Sequence, residues 1–150
     1  MGSHITLWSS DMDTALNNKQ IVEAVFAGLA EGDGTPFANA MAPDFSWTIT
    51  GHGPWAGTWR GKAQVRSELL APLLAQFEGR YRSRARRIVA DGDIVVVESR
   101  GDAVTKAGRR YDNHYCFVIE MRGGQLHALT EYMDTALCEA VLVAPENVPQ

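Results

Sequence analysis

One stretch of the chain carries charged residues at a spacing that suits proton transfer. In "ESRGD", Glu98, Arg100 and Asp102 alternate, and they continue an apolar run that contains Ile94 and Val96. Side chains two positions apart on a strand point to the same face. The charged groups are therefore predicted to share a face with the apolar residues, either in a pocket or beyond the sheet. A partly buried carboxyl in such a place has a shifted pKa.

A second acid lies near the end of the chain. Glu131 shares a predicted strand face with Leu129 and His127 in "GQLHALTEYM". Two carboxyls, one ionised and one protonated, are a general means of acid and base chemistry at neutral pH. The alternative for these residues is a charge cluster that stiffens the sheet or faces solvent.

The stretch "RRYDNHYCFVIEM" offers two different faces. His114 and Cys116 share one face, and Asn113, Tyr115 and Phe117 share the other. One of them is predicted to line the interior, where a neutral histidine can act as an acid or base near pH 7. A hydrogen-bonded histidine of the core is the alternative. Metal ligands at recognisable spacing are missing, so no metal is predicted.

The glycine spacing in "TITGHGPWAGTWRG" fits a dinucleotide-binding turn. Such a turn needs a helix to begin at the last small residue, within a βαβ unit. Here Ala56 is followed by Gly57 and Gly61, and a run of strands comes later. The stretch is therefore predicted to be a long loop between a strand and a helix.

Aromatic residues on and beside this loop suggest the mouth of a ligand pocket. Trp55 and Trp59 lie on the loop with His52, and Trp47 precedes it. Aromatic side chains on a rim suit an apolar ligand. The alternative is that the tryptophans plug the open end of the fold.

The elements around these residues predict an α+β architecture. Hydrophobic periodicity and turn residues predict an arm over 1–14, a helix over 15–31, a short helix over 35–41 capped by Thr35 and a strand over 45–50. A helix over 62–77, divided at Pro72, is predicted to follow. Four strands joined by short turns between 83 and 133, a helix over 134–143 and a tail over 144–150 complete the prediction. The opening "MGSH" resembles an expression remnant and is set aside. Helices covering one face of a curved, mostly antiparallel sheet make a cone that can hold a small ligand.

Size and charge restrict the class of protein. A chain of 150 residues favours one domain, here 15–143, and the net charge of −4 argues against a nucleic-acid partner. No apolar run approaches the ~20 residues that span a bilayer, so no membrane partner is predicted. The two cysteines, with no visible export signal, predict reduced thiols and a cytoplasmic location. The arginine cluster at 80–87 is predicted to be a solvated strand face.

The order of elements resembles the nuclear transport factor 2-like superfamily, and within it the SnoaL-like and ketosteroid-isomerase-like proteins. The stretches that carry the resemblance are "DFSWTITGHGPWAGTWRGKAQV", "GRRYDNHYCFVIEMRGGQL" and "TEYMDTAL". The resemblance implies a cone-shaped fold and a homodimer formed through the outer sheet face. This superfamily contains isomerases, dehydratases, cyclases, epoxide hydrolases and binding proteins without catalysis.

The charged residues resemble in part the limonene-epoxide-hydrolase branch. By this resemblance Asp102 would accept a proton, Arg100 would bridge the carboxyls and Glu131 would donate a proton. The chain has Glu131 where the branch has Asp, and Trp47 and Ile49 where the branch holds its water with Tyr and Asn. It also has no acid at the end of the first strand, where the steroid isomerase branch has its base.

The sequence thus predicts an acid/base enzyme without an organic cofactor, acting on a small hydrophobic molecule. Isomerisation, cyclisation, dehydration and hydrolysis remain open. The predicted catalytic residues are Asp102, Arg100, Glu131 and His114, and the predicted substrate-binding residues are Trp47, His52, Trp55, Trp59 and Tyr115. The alternative is a binding protein of the same fold that performs no chemistry.

Overall fold

The first helix is longer than its hydrophobic periodicity predicts. The computed structural model describes residues 3–149, and the side chains of residues 11–149. Helix α1 spans Ser3–Ala30, so the part of the predicted arm that is described is helical. Residues 3–14 lack an apolar stripe, but they also contain no glycine or proline that would end a helix. The Asn18 side chain donates a hydrogen bond to the Gly92 carbonyl at 3.1 Å and ties α1 to the sheet.

Helix α2 spans Thr35–Ala40, with a different cap from the one predicted. Gly34 is the N-cap residue and Pro36 lies in the first turn, where a missing N–H costs nothing. The Asp33 carboxylate accepts a hydrogen bond from the Thr35 backbone N–H at 3.0 Å. The turn between α1 and α2 is therefore closed by Asp33, whereas the predicted cap Thr35 is the first helical residue.

The loop that follows the first strand contains a second, short strand. Strand β1 spans Met41–Ile49 and β2 spans Gly57–Arg60, and the two are antiparallel. No helix begins at Ala56. The dinucleotide turn is thereby excluded, as the sequence predicts, but the prediction of an unbroken loop is wrong for residues 57–60.

The next helix is divided, as Pro72 predicts. It begins as α3 (Lys62–Gln64), continues as a π-helical segment over Val65–Leu70 and ends as α4 (Ala71–Leu74). Proline has no N–H for the hydrogen-bond ladder, and a wider π turn absorbs such a gap. Val65 and Leu69 of the π-helical segment are fully buried.

Four long strands then form the predicted meander. Strand β3 spans Phe77–Asp91, β4 spans Ile94–Thr105, β5 spans His114–Arg122 and β6 spans Gln125–Met133. The six-stranded sheet has the order β2-β1-β6-β5-β4-β3, and only the β1–β6 pair is parallel. Gly92 (φ +56°) makes the tight turn between β3 and β4. Helix α5 (Thr135–Val141) follows, capped by the Asp134 side chain.

The inner face of the curved sheet carries the core. Helix α1 packs across β3 and β4, and the buried side chains include Phe45, Val95, Ile119 and Leu126. None of the helices described is both long and apolar enough to cross a membrane. The α+β architecture predicted from the sequence is confirmed, with the helices on one side of a mostly antiparallel sheet.

Candidate functional site

A cavity of about 690 Å³ lies between the inner face of the sheet and the helices. Its walls come from the end of α1, from α2, from the divided helix over 62–74, from the sheet and from α5. Most of the lining is apolar, including Phe37, Met41, Leu70 and Leu73. A volume of this size holds a drug-sized organic molecule.

Glu131 is the one carboxyl among the described residues that line this cavity. It is only 5 % exposed. Burial raises the pKa of its carboxyl to about 8, because an ionised carboxylate loses its hydration there. At pH 7 the side chain is therefore mostly a neutral acid that can donate a hydrogen bond or a proton.

Strand register explains why Glu131 faces inward. It is paired with Ile49 of β1 on one side and with Phe117 of β5 on the other. Both neighbours are buried on the inner face. Partners in register point to the same side of a sheet, so the glutamate has no route to the outer solvent. The predicted interior position of Glu131 is confirmed.

Trp47 adds a polar group beside this acid. Its indole N–H lowers the pKa of Glu131, although less than burial raises it. The Trp47 Nε1 atom is nevertheless buried without a hydrogen-bond partner of normal geometry among the described residues. The indole N–H therefore lies near the Glu131 carboxyl but inside the wall, and it has no accessible surface.

Two tyrosines form a second polar group on the cavity wall. The Tyr81 hydroxyl donates a hydrogen bond to the Tyr115 hydroxyl at 2.6 Å. Tyr115 stacks on Phe117 with ring centroids 5.2 Å apart, which fixes its ring. Burial raises the pKa of both phenols, so both stay protonated at neutral pH. The Tyr115 hydroxyl also interacts with the Tyr111 hydroxyl, so the pair continues into a third phenol on the cavity wall.

Asn113 is a structural residue beside the cavity that the sequence analysis did not single out. It is 0 % exposed. Its carbonyl oxygen accepts hydrogen bonds from the backbone N–H groups of His114 at 2.7 Å and Asp134 at 3.1 Å. Its amide donates to the Tyr111 hydroxyl at 3.0 Å and to the Asp134 carbonyl at 3.1 Å. Asn113 thus fastens the start of α5 to β5.

Asn113→Ala is expected to lower the free energy of unfolding by roughly 2–4 kcal/mol, because it leaves several buried polar groups unpaired. Chemical denaturation measures the change. Asn17 lies on the exposed side of α1, and Asn17→Ala should change stability by less than about 0.5 kcal/mol. A loss below about 1 kcal/mol for Asn113→Ala would show that this network contributes little.

The predicted aromatic rim is divided by the structure. Trp47 and Trp55 line the cavity, and Trp55 is held by a hydrogen bond from its indole to the Val143 carbonyl at 2.9 Å. Trp59 packs against the core but does not line the cavity, and His52 is exposed. His52 and Trp59 are therefore not part of the cavity wall, in contrast to Trp47 and Trp55.

Asp102 and Arg100 do not reach the cavity, contrary to the sequence prediction. The inward row of β4 is Val95, Val97 and Ser99, so both charged side chains lie on the opposite face. The hydrogen bond from Arg110 at 2.6 Å is the main cause that lowers the pKa of Asp102. The proposed bridge of Asp102, Arg100 and Glu131 therefore does not exist.

His114 is also on the outer face. Tyr115 and Phe117 of β5 point inward, as does Asn113 just before the strand, whereas His114 is exposed and is paired in register with Arg100. The prediction of His114 as an interior acid or base is wrong. Tyr115, predicted from the other face of the same strand, does line the cavity.

The described residues form an α+β domain with a curved sheet, an apolar cavity and one buried acid, and these features indicate a SnoaL-like protein. The SnoaL-like domain family matches residues 22–128. The chain belongs to this family. A search of the curated proteins finds no match to the chain.

Solved structures support the same fold. A nuclear transport factor 2-like protein of Burkholderia xenovorans LB400 is 29% identical, with a TM-score of 0.65 over 85% of this chain and 98% of that one. TerC, crystallised with polyporic acid, is 25% identical, with a TM-score of 0.71 over 87% and 99%. A LEH-like epoxide hydrolase of M. tuberculosis is 21% identical, with a TM-score of 0.65 over 81% and 86%, and shows the fold alone.

Proposed function

We propose that this protein is an acid/base enzyme that transforms a small, mainly apolar organic molecule in its cavity. The observation that carries the proposal is Glu131, a neutral carboxylic acid held at the wall of an apolar cavity by burial. Such an acid protonates an oxygen of the substrate as charge develops there. Dehydration, cyclisation, isomerisation and epoxide opening all need this step.

Hydrogen-bond donors near the acid support the proposal. The hydroxyl groups of Tyr81, Tyr111 and Tyr115 belong to residues of the cavity wall, as the Glu131 carboxyl does. Prepositioned donors stabilise a substrate oxygen that gains negative charge. Phenol hydroxyls and a neutral carboxyl, with no other carboxyl among the described lining residues, suit the wall to a carbonyl, hydroxyl or epoxide oxygen.

The second candidate is a binding protein without catalysis. One observation favours it: the described cavity lining contains no histidine and no second carboxyl to act as a base. The crystallisation of TerC with polyporic acid shows that a relative holds a small organic molecule. If the protein is an enzyme, a water molecule or the substrate itself would have to accept the proton that a base removes in other acid/base enzymes.

A substrate panel separates the two candidates. The protein is incubated with small apolar ketones, epoxides and tertiary alcohols, and products are analysed by mass spectrometry and NMR. Turnover by the wild type that is lost in Glu131→Gln is the result we expect. Compounds that bind and are recovered unchanged by both proteins would instead establish the binding role.

We further propose that the protein is a homodimer joined through the outer face of its sheet. A row of uncharged, half-buried side chains crosses that face in register: Val96, Val118, Thr130 and Thr48. Light scattering at micromolar concentration should give twice the chain mass of 16.4 kDa. Val118→Glu should shift the mass to that of the monomer, because the new carboxylate would be buried in the contact between the two sheets. A monomeric wild type would contradict the proposal.

A further inference from the structure

The lining of the cavity contains three positively charged side chains. Lys62 and Arg66 lie one turn apart on the divided helix, and Arg80 lies near the start of β3. Arg66 and Arg80 are exposed and Lys62 is half-buried. These three residues, here called the basic rim, therefore mark the solvent-facing side of an otherwise apolar cavity.

Within the described part of the chain, no residue of the basic rim forms an ion pair at 4 Å or less. The ion pairs found there involve other cations, namely Arg87, Arg110 and His127. Among the described residues that line the cavity, the only carboxyl is that of Glu131, whose raised pKa leaves it mostly uncharged at pH 7. Three cations without an ion pair among the described residues thus line one cavity of a chain whose net charge is −4.

The aliphatic stem of Arg80 packs over the turn at Gly32. A Cβ atom at Gly32 would lie 2.8 Å from Cβ of Arg80 and 3.0 Å from its Cδ. The neighbouring acid Asp33 is engaged elsewhere. The Thr35 backbone N–H is the main cause that lowers the pKa of Asp33, and Arg80 contributes least. Arg80 thus lines the cavity, and among the described residues its guanidinium forms no ion pair.

We propose that the molecule this cavity accepts is an amphipathic anion. Its apolar body lies in the interior and its carboxylate, or another oxyanion, is held by Lys62, Arg66 and Arg80. Guanidinium and ammonium groups recognise oxyanions by charge and hydrogen bonding. The apolar wall supplies the affinity for the body. The anion is the substrate class if the proposed enzymatic function is correct, and its binding does not depend on that function.

A pair of fluorescent probes that differ in one charged group tests the inference. Anilinonaphthalene sulfonate carries the anion, and phenylnaphthylamine is the same ring system without it. We expect the wild type to bind the sulfonate at least about tenfold more tightly than the neutral probe, as a cluster of partly screened charges allows. Added salt should weaken only the sulfonate complex.

Variants locate the charge selectivity. The combined variant Lys62→Gln, Arg66→Gln and Arg80→Gln should lose the preference while its affinity for the neutral probe stays within about twofold, which also shows that the cavity is intact. Arg86→Gln is the matched control, since Arg86 is exposed on the same strand but does not line the cavity. It should keep the full preference.

Several results would overturn the inference. One is that the wild type binds the two probes with equal affinity, and another is that it binds neither. A preference for the sulfonate that survives in the combined variant, or that disappears in Arg86→Gln, would also contradict it. Glu131→Gln should retain the preference, because it leaves the basic rim unchanged. A preference for the charged probe without any turnover would therefore contradict the proposed enzyme and support the anion site. Turnover limited to uncharged compounds would support the enzyme and contradict the anion site.

Discussion

Glu131→Gln is expected to lower turnover of any substrate of this protein by about 10²- to 10⁴-fold. The substitution keeps the size and neutrality of the side chain but removes the acidic proton. Because the glutamate is mostly protonated at pH 7, binding should change little, and the loss should appear in kcat. Steady-state kinetics of both proteins on the first substrate found in the panel measure the effect.

The control for this prediction is Glu98→Gln. Glu98 lies on the outer face of β4, exposed, with a loose ion pair to Arg87 at 3.7 Å. The same chemical change there should leave kcat within about twofold, because exposed ion pairs contribute little. Equal kcat values for the wild type and Glu131→Gln would remove the acid from the reaction.

The stability of the wild type relative to Glu131→Gln is expected to fall as the pH rises from about 4.5 to about 8. The pKa of Glu131 is raised in the folded protein, to about 8, from 4.5. Between these values the folded state keeps a proton that the unfolded state releases. The folding equilibrium constant therefore decreases with rising pH, by up to about tenfold per pH unit from this residue.

Urea denaturation of both proteins at several pH values measures this difference. Other titrating groups cancel in the comparison, as does any constant effect of the amide, so only the slope is diagnostic. The contribution of Glu131 is fully present below pH 4.5 and lost as pH rises through 8. Parallel stability curves for the two proteins between pH 5 and 8 would mean that the carboxyl is already ionised in the folded state.

The extent to which the sequence predicts this molecule depends on alternation within each strand. In β6, Leu129 and Glu131 alternate with Thr130 and Tyr132, so the inward face is readable and Glu131 is placed correctly. In β4 the run from Ile94 to Val97 is apolar throughout and contains no alternation to read. The prediction for β4 therefore chose the wrong face and placed Arg100 and Asp102 in the cavity, because a shift of one residue exchanges the two faces of a strand.

Features that depend on distant parts of the chain escape a reading of local pattern. Asn113 resembles any loop asparagine until α5 packs against β5 and supplies its partners. The basic rim joins two residues of a helix to Arg80, which the sequence analysis assigned to a solvated strand face. The helical spacing of Lys62 and Arg66 is visible in the sequence, but that they line the same cavity as Arg80 depends on how the helix packs on the sheet.

The ionisation of Glu131 in the folded protein tests the central claim most directly, since it needs no substrate. Carbon-13 NMR of protein labelled at the glutamate carboxyls follows each titration, and the resonance absent from Glu131→Gln identifies the residue. The account predicts a carboxyl that titrates near pH 8. A Glu131 resonance that titrates near pH 4.5, with the other glutamates, would contradict it.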